Sequence, residues 1–80
     1  MSNLEKYNKA FTETFSVDES ALGESFTFQD VGNWDSIAHM TLIAALEGTF
    51  DIMLDTDDIL NFGSYDNGKT IMKKYEIEIQ

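Results

Sequence analysis

The first apolar residues of the chain recur every three or four positions. This is the spacing of one helix face, shared by Leu4, Tyr7, Phe11 and Phe15. Ser2 and Glu5 have the spacing of a capping box, in which each side chain accepts a hydrogen bond from the other residue's backbone amide. The pattern therefore predicts a first helix that begins at Ser2.

Residues 16–33 lose this period. Turn-forming residues interrupt the segment, namely Asp18, Gly23, Asp30 and Gly32. A loop of this length is unusual in a compact domain unless apolar side chains hold it down. Four such residues recur through it: Leu22, Phe26, Phe28 and Val31. We expect these four to anchor an ordered loop across a helical bundle, and a short hairpin through Phe26 and Phe28 is the alternative.

The helical period returns for a second helix from about Ser36 to Phe50, with Asp35 placed to cap its first turn. One face of this helix is apolar and is formed by Leu42, Ile43, Leu46 and Phe50. An adjacent strip is formed by Ile37, Met40, Ala44 and Glu47. A helix that is apolar over most of its circumference lies centrally or faces a partner.

The remaining pattern predicts two shorter helices. Asp51 to Asp55 forms a connector in which Ile52 and Leu54 point inward. A short third helix follows, contains Ile59, Leu60 and Phe62, and ends at Gly63. Ser64 caps the last helix, whose apolar residues are Tyr65, Ile71, Met72 and Tyr75.

Together these elements predict an all-α fold. We expect a small four-helix bundle, with three longer helices, one short helix and a long ordered loop between helices 1 and 2. The absence of proline favours helices, because proline removes a backbone donor and clashes inside them. We expect residues 1–80 to form a single domain and the tail from Glu76 to Gln80 to be frayed.

Charge narrows the classes of partner. The 80 residues include 15 acidic and five basic ones, for a formal net charge of -10, and all the basic residues are lysines. Such a surface repels nucleic-acid phosphates and anionic membranes, so a basic protein patch is its natural partner. The alternative is that the acidic residues serve only to keep the protein soluble.

Several classes of site are excluded by composition. The chain has no cysteine, so it has no disulfide, zinc–thiolate site or thiol nucleophile. Its first residues do not resemble a signal peptide, and no apolar run is long enough to span a bilayer. We therefore expect a cytoplasmic protein.

The segment most informative about function runs from Gly32 to Ile37. It places Ser36 at the start of a helix after a loop, where the hydroxyl is exposed and free backbone amides and the helix dipole favour an anionic group. A phosphodiester on Ser36 is compatible with that position. Asp-Ser before a helix is also an ordinary helix cap, so the dipeptide alone does not establish the function.

The wider context of Asp35-Ser36-Ile37 resembles the acyl carrier and peptidyl carrier protein family. The resemblance covers nearly the whole chain, from the first helix to Tyr75. Its residues are Gly32, Trp34, Met40, Leu42, Ile43, Leu46, Glu47, Phe50, Asp51, Ile52, Asp57, Asp58 and Ile59. The run from Trp34 to Met40 is similar to stand-alone carriers rather than to modules of a synthase.

This resemblance implies a covalent cofactor. A phosphopantetheinyl transferase joins 4'-phosphopantetheine from coenzyme A to the Ser36 hydroxyl, and the thiol of the arm holds an acyl or aminoacyl group as a thioester. The protein then has no catalytic residues and no metal. Its other partners are acyl- or aminoacyl-loading ligases and acyltransferase or synthase enzymes with basic patches, and the carrier itself is a monomer. Fatty acyl, hydroxyacyl, aminoacyl and sugar-modifying acyl groups all fit as cargo.

Partner docking is expected beside Ser36. Apolar contact would come from Ile37, Met40 and Ala44, with steering by Asp35 and Glu47, and Thr41 lies on the same strip. Ordinary core packing of Ile37 and Met40 is the alternative. The outer positions of this helix carry fewer acidic residues than those of fatty-acid carriers, which favours different partner enzymes.

His39 lies near the core face of the second helix. We expect a partly buried, hydrogen-bonded imidazole, and a pH switch is the alternative. A hydrolase built from Ser36, His39 and Asp35 is disfavoured, because three residues within one helix start do not align in series.

The acidic residues are compatible with two different roles. A calcium site could use Asp51, Asp55, Asp57 and Asp58, but they lack the glycine and glutamate positions of an EF-hand loop. An acidic interaction module that never receives the cofactor has the same predicted fold.

Overall fold

The computed structural model describes residues 1–80 and contains four α-helices. They are α1 (Asn3–Phe15), α2 (Ser36–Phe50), α3 (Thr56–Asn61) and α4 (Tyr65–Lys73), with one turn of 3-10 helix at Glu19–Ala21. The prediction of an all-α bundle with three longer helices and one short helix is confirmed. No helix of the molecule has the length and apolar character needed to cross a bilayer.

The predicted capping box forms at the start of α1. The Ser2 hydroxyl accepts a hydrogen bond from the Glu5 amide at 3.1 Å, and the Glu5 carboxylate accepts one from the Ser2 amide at 3.1 Å. The helix ends at Ser16, which has a left-handed backbone (φ 55°) and turns the chain into the loop. Both ends of α1 are therefore set by local hydrogen bonding.

Aromatic rings fill the interior between the helices. The buried rings are Tyr7, Phe11, Phe15, Phe26, Trp34, Phe62 and Tyr65. Phe11 lies at their centre, and the other six ring centroids are 5.0 to 6.3 Å from its own. Leu42, Ile43 and Leu46 of α2 pack on the same cluster, which confirms the predicted core face of that helix.

The loop between α1 and α2 is ordered, but one of its expected anchors is not buried. Phe26 enters the core, whereas Phe28 is 49% exposed, and its ring centroid lies 6.2 Å from that of Trp34 and 6.5 Å from that of His39. The hairpin alternative is wrong. Its segment makes a single antiparallel bridge, between Thr27 and Ser64, and no strand.

The short helix α3 is held by two residues that directly follow α4. Asp58 is buried, and its carboxylate accepts hydrogen bonds from the Lys74 ammonium at 2.6 Å and from the Tyr75 hydroxyl at 2.5 Å. These hydrogen bonds, first that of Lys74 and then that of Tyr75, lower the pKa of the Asp58 carboxyl. The Tyr75 hydroxyl also accepts a hydrogen bond from the Asp55 amide at 2.9 Å, at the helix N-terminus.

The C-terminal tail is ordered, so the prediction that it is frayed is wrong. Ile77 and Ile79 alternate with polar residues and pack, half-buried, against the core. The Asn3 side chain donates a hydrogen bond to the Glu78 carbonyl at 3.1 Å, and the Leu4 amide donates one to the Gln80 carbonyl at 3.2 Å. Burial of two isoleucines and these hydrogen bonds offset the entropy cost of ordering the tail.

Candidate functional site

Ser36 is the first residue of α2 and is exposed. Asp35 is the N-cap, and its Oδ1 accepts a hydrogen bond from the Ala38 amide at 2.8 Å. The Ser36 hydroxyl has no hydrogen-bond partner in the protein, because the capping role falls to Asp35 instead. The structure therefore leaves this hydroxyl free to react with an external group.

The backbone around Ser36 favours an anion. The amides of Ser36 and Ile37 have no acceptor within the protein, since intrahelical hydrogen bonding begins with the His39 amide and the Asp35 carbonyl. The N-terminal end of the helix dipole adds partial positive charge at this point. A phosphate ester on Ser36 would lie next to both free amides.

A groove of about 610 Å³ opens beside Ser36 and separates the loop from α2 and α3. Its apolar walls include Phe28 from the loop, Met40 from α2 and Leu60 from α3. Thr27, Gln29 and Asp30 make the loop side polar. The volume is in the range of small-molecule sites, and Ser36 itself is part of the lining.

His39 connects α2 to both neighbouring segments. Its Nδ1 accepts a hydrogen bond from the Trp34 indole at 3.0 Å, and its Nε2 lies 2.7 Å from the Ile59 carbonyl oxygen in α3. Since the indole can only donate, the neutral imidazole carries its proton on Nε2 and donates it to Ile59. The half-buried, hydrogen-bonded environment expected for His39 is present.

Five of the six predicted docking residues are exposed. They are Asp35, Ile37, Met40, Thr41 and Ala44, with Ile37 at 79% and Met40 at 54% exposure. Glu47 is half-buried, and its Oε2 accepts a hydrogen bond from the Leu54 amide at 2.9 Å. One oxygen of Glu47 thus holds the connector between α2 and α3.

The hydrolase alternative has no support in the geometry. Nδ1 of His39 is hydrogen-bonded to Trp34 and Nε2 to Ile59, and neither nitrogen is hydrogen-bonded to Ser36 or Asp35. No group of three or more histidine or acidic side chains is arranged to hold a metal ion.

The sequence did not reveal which residues wall the groove. Phe28 was expected only as an anchor of the loop, and the link between His39 and Ile59 joins residues 20 positions apart. Trp34 provided one usable signal, because a buried indole N–H normally requires an acceptor nearby.

Comparison with known proteins gives one match. The sequence model of a family described as "Phosphopantetheine attachment site" matches residues 9–67, which is more than half of the chain and includes Ser36 and all of α2. Searches of curated proteins and of solved structures found no match.

Proposed function

The chain belongs to the phosphopantetheine attachment family, and on this premise we propose that it is a stand-alone acyl carrier protein with its arm on Ser36. Domains of this family are the attachment site of the 4'-phosphopantetheine prosthetic group and have no catalysis of their own. They interact with modifying and synthase enzymes. The observation that supports Ser36 is its free, exposed hydroxyl at the start of α2, inside the matched residues.

The residues around Ser36 fit a phosphate-linked group. The hydroxyl is free to form an ester, the amides of Ser36 and Ile37 are available as donors, and the adjoining groove gives an attached chain a surface to lie on. When bound, the group supplies a terminal thiol that holds the cargo as a thioester. The protein supplies a tether point, which raises the effective concentration of the cargo for enzymes that dock nearby.

Attachment requires a transferase as the second protein. The Ser36 oxygen forms a bond to the phosphorus of the pantetheine phosphate in coenzyme A, and the pyrophosphate bond breaks. The adenosine bisphosphate part leaves, and the hydroxyl proton passes to the transferase. Asp35 keeps the first turn of α2 in place through the Ala38 amide, so that Ser36 remains exposed during this reaction.

Partner enzymes would dock on the surface next to Ser36. Ile37 and Met40 offer apolar contact beside the attachment point. Asp35 and the acidic residues of the loop between α1 and α2 attract basic patches on the partner. Loading ligases, acyltransferases and synthases would share this surface in turn.

Intact-mass measurement tests the proposal. The purified protein is incubated with coenzyme A and a promiscuous phosphopantetheinyl transferase, together with Ser36→Ala and a matched control, Ser25→Ala, at an exposed loop serine. We expect the mass of one phosphopantetheine to be added to the wild type and to Ser25→Ala, and nothing to Ser36→Ala. No addition to the wild type would favour the unmodified interaction module, and addition to Ser36→Ala would place the arm on another residue.

A further inference from the structure

The segments that border the groove are joined by a chain of hydrogen bonds, which we call the His39 relay. It runs from the Trp34 indole through both nitrogens of His39 to the Ile59 carbonyl, with distances of 3.0 and 2.7 Å. His39 can make both hydrogen bonds only as the tautomer protonated on Nε2. The indole donor of Trp34 therefore fixes the donor and acceptor in each of the two bonds. The relay spans the boundary between α2 and α3.

Helix α3 depends on this link. It has only six residues, and its N-cap residue Asp55 makes no side-chain capping hydrogen bond. It is tied by the His39 relay on the α2 side and, on the other side, by the hydrogen bonds from Lys74 and Tyr75 to Asp58. Loss of the relay would therefore free the edge of α3 that faces α2, while the opposite edge stays tied.

Behind the relay, the interior has no room for a guest. All three cavities of the molecule open to solvent. The space under α2 and α3 is occupied by the packed rings, with the centroids of Phe11 and Phe62 6.3 Å apart and those of Phe15 and Trp34 5.1 Å apart. A group attached to Ser36 meets the groove first, and the relay lies between the groove and the core.

We propose that the His39 relay is a latch that determines which cargo the protein holds. With the latch closed, a group on Ser36 lies in the surface groove, against Phe28, Met40 and Leu60, and does not enter the core. This inference rests on the proposed function of Ser36 as the tether point. His39 acts here as a specificity-determining residue.

The groove indicates the class of cargo. Its walls are apolar on the α2 and α3 sides and polar along Thr27, Gln29 and Asp30, and it is open to solvent. A long saturated chain would keep much of its surface in water there, at a cost that grows with each methylene. Short acyl groups, or acyl groups that bear hydroxyl or amino substituents, match this lining. The Asp30 carboxylate disfavours cargo with a carboxylate of its own.

The latch can be tested first without any cargo. Amide hydrogen exchange of residues 59–62 is compared in the wild type, His39→Ala and Thr49→Ala, a control on the same helix whose hydroxyl makes no hydrogen bond. We expect faster exchange in α3 for His39→Ala and unchanged exchange for Thr49→Ala. Trp34→Phe, which removes the indole donor and keeps an aromatic ring, should give an intermediate increase. Unchanged exchange in His39→Ala would overturn the latch.

The second measurement uses acetyl- and octanoyl-loaded protein and follows side-chain methyl signals by NMR. In the wild type we expect the octanoyl group to shift the methyl signals of Met40 and Leu60 at the groove. The methyl signals of Leu46 and Met72 in the core should have the same positions in the octanoyl-loaded and acetyl-loaded proteins. In His39→Ala the octanoyl group should also shift the core methyls, and His39→Gln, which keeps a donor for Ile59, should restore the wild-type pattern. Core shifts in the wild type would overturn the proposal.

Intact mass separates the two proposals. If no arm is added to Ser36, the carrier function fails before any cargo is examined. If the arm and the octanoyl group are present by mass but the chain perturbs the core of the wild type, the carrier function stands and the latch is wrong. Should His39→Ala prove too unstable to fold, His39→Gln and Trp34→Phe still report whether the relay controls α3 exchange.

Discussion

Two glycines show how the same substitution has opposite effects at different residues. Gly48 lies in α2 with open space where a side chain would begin, whereas at Gly68 in α4 an added methyl would overlap the Tyr7 hydroxyl and the Phe62 ring. Alanine in a helix interior loses less backbone entropy than glycine. We expect Gly48→Ala to stabilise the protein by about 0.5–1 kcal/mol and Gly68→Ala to destabilise it by about 1–3 kcal/mol.

Urea unfolding followed by circular dichroism measures both free energies. The pair is its own control, because both changes are glycine to alanine within a helix. Equal shifts of the same sign would show that the close approach of α4 to Tyr7 and Phe62 is absent in solution.

Met40 is the residue whose change should separate docking from folding. It is 54% exposed beside Ser36, so Met40→Glu should leave the unfolding free energy nearly unchanged. The same change should weaken use by partner enzymes by about 1 kcal/mol or more, seen as a lower kcat/KM of a loading enzyme. Met53→Glu, in the connector at 85% exposure, is the matched control. Equal kcat/KM values for Met40→Glu and Met53→Glu would show that Met40 is not part of the docking surface.

At the scale of an element, α3 should be the part of the fold most sensitive to acid. Hydrogen bonds from Lys74 and Tyr75 lower the pKa of Asp58, so its contribution to stability is present above the ordinary aspartate range. That contribution is lost as the pH falls through the lowered pKa, because the protonated carboxyl no longer pairs with Lys74. We expect Asp58→Asn to destabilise the protein at neutral pH and to approach the wild type in acid.

Thermal unfolding from neutral pH down to about pH 2, below the ordinary aspartate range, checks this expectation. Asp57→Asn, at the exposed neighbouring aspartate, serves as the control and should run parallel to the wild type. A stability difference between Asp58→Asn and the wild type that stays constant with pH would contradict the role of the Asp58 pair.

Elements built from local signals were predictable, and those fixed by distant contacts were not. The caps of Ser2 and Asp35 bind amides three residues away, so the starts of α1 and α2, and with them the place of Ser36, follow from the sequence. Phe28 lies beside Trp34 and His39, and the tail is hydrogen-bonded to Asn3 at the other end of the chain. Helical period and capping carry no information about such pairings.

At the scale of the whole molecule, charge is unevenly distributed. No lysine or arginine occurs between Ala10 and Gly68, and all five lysines belong to α1 or to α4 and the residue that follows it. The long middle segment that includes Ser36 therefore has only acidic charges, which repel one another and attract a basic partner.

Screening this repulsion should stabilise the fold. We expect the melting temperature to rise with added sodium chloride and with added magnesium chloride. Differential scanning calorimetry across both salt series measures the effect. A melting temperature that does not change with either salt would show that self-repulsion does not limit stability.

The buried ring of Trp34 also has an optical consequence. It is the only tryptophan in the chain, it lies at 2% exposure, and its N–H bonds to His39 at the edge of the groove. Indole fluorescence depends on hydrogen bonding and on the polarity around the ring, so the tryptophan emission of the unlabelled protein arises from one defined location. Ultraviolet excitation alone can therefore follow, in real time, both global melting and the environment of the serine on which the arm is proposed to sit.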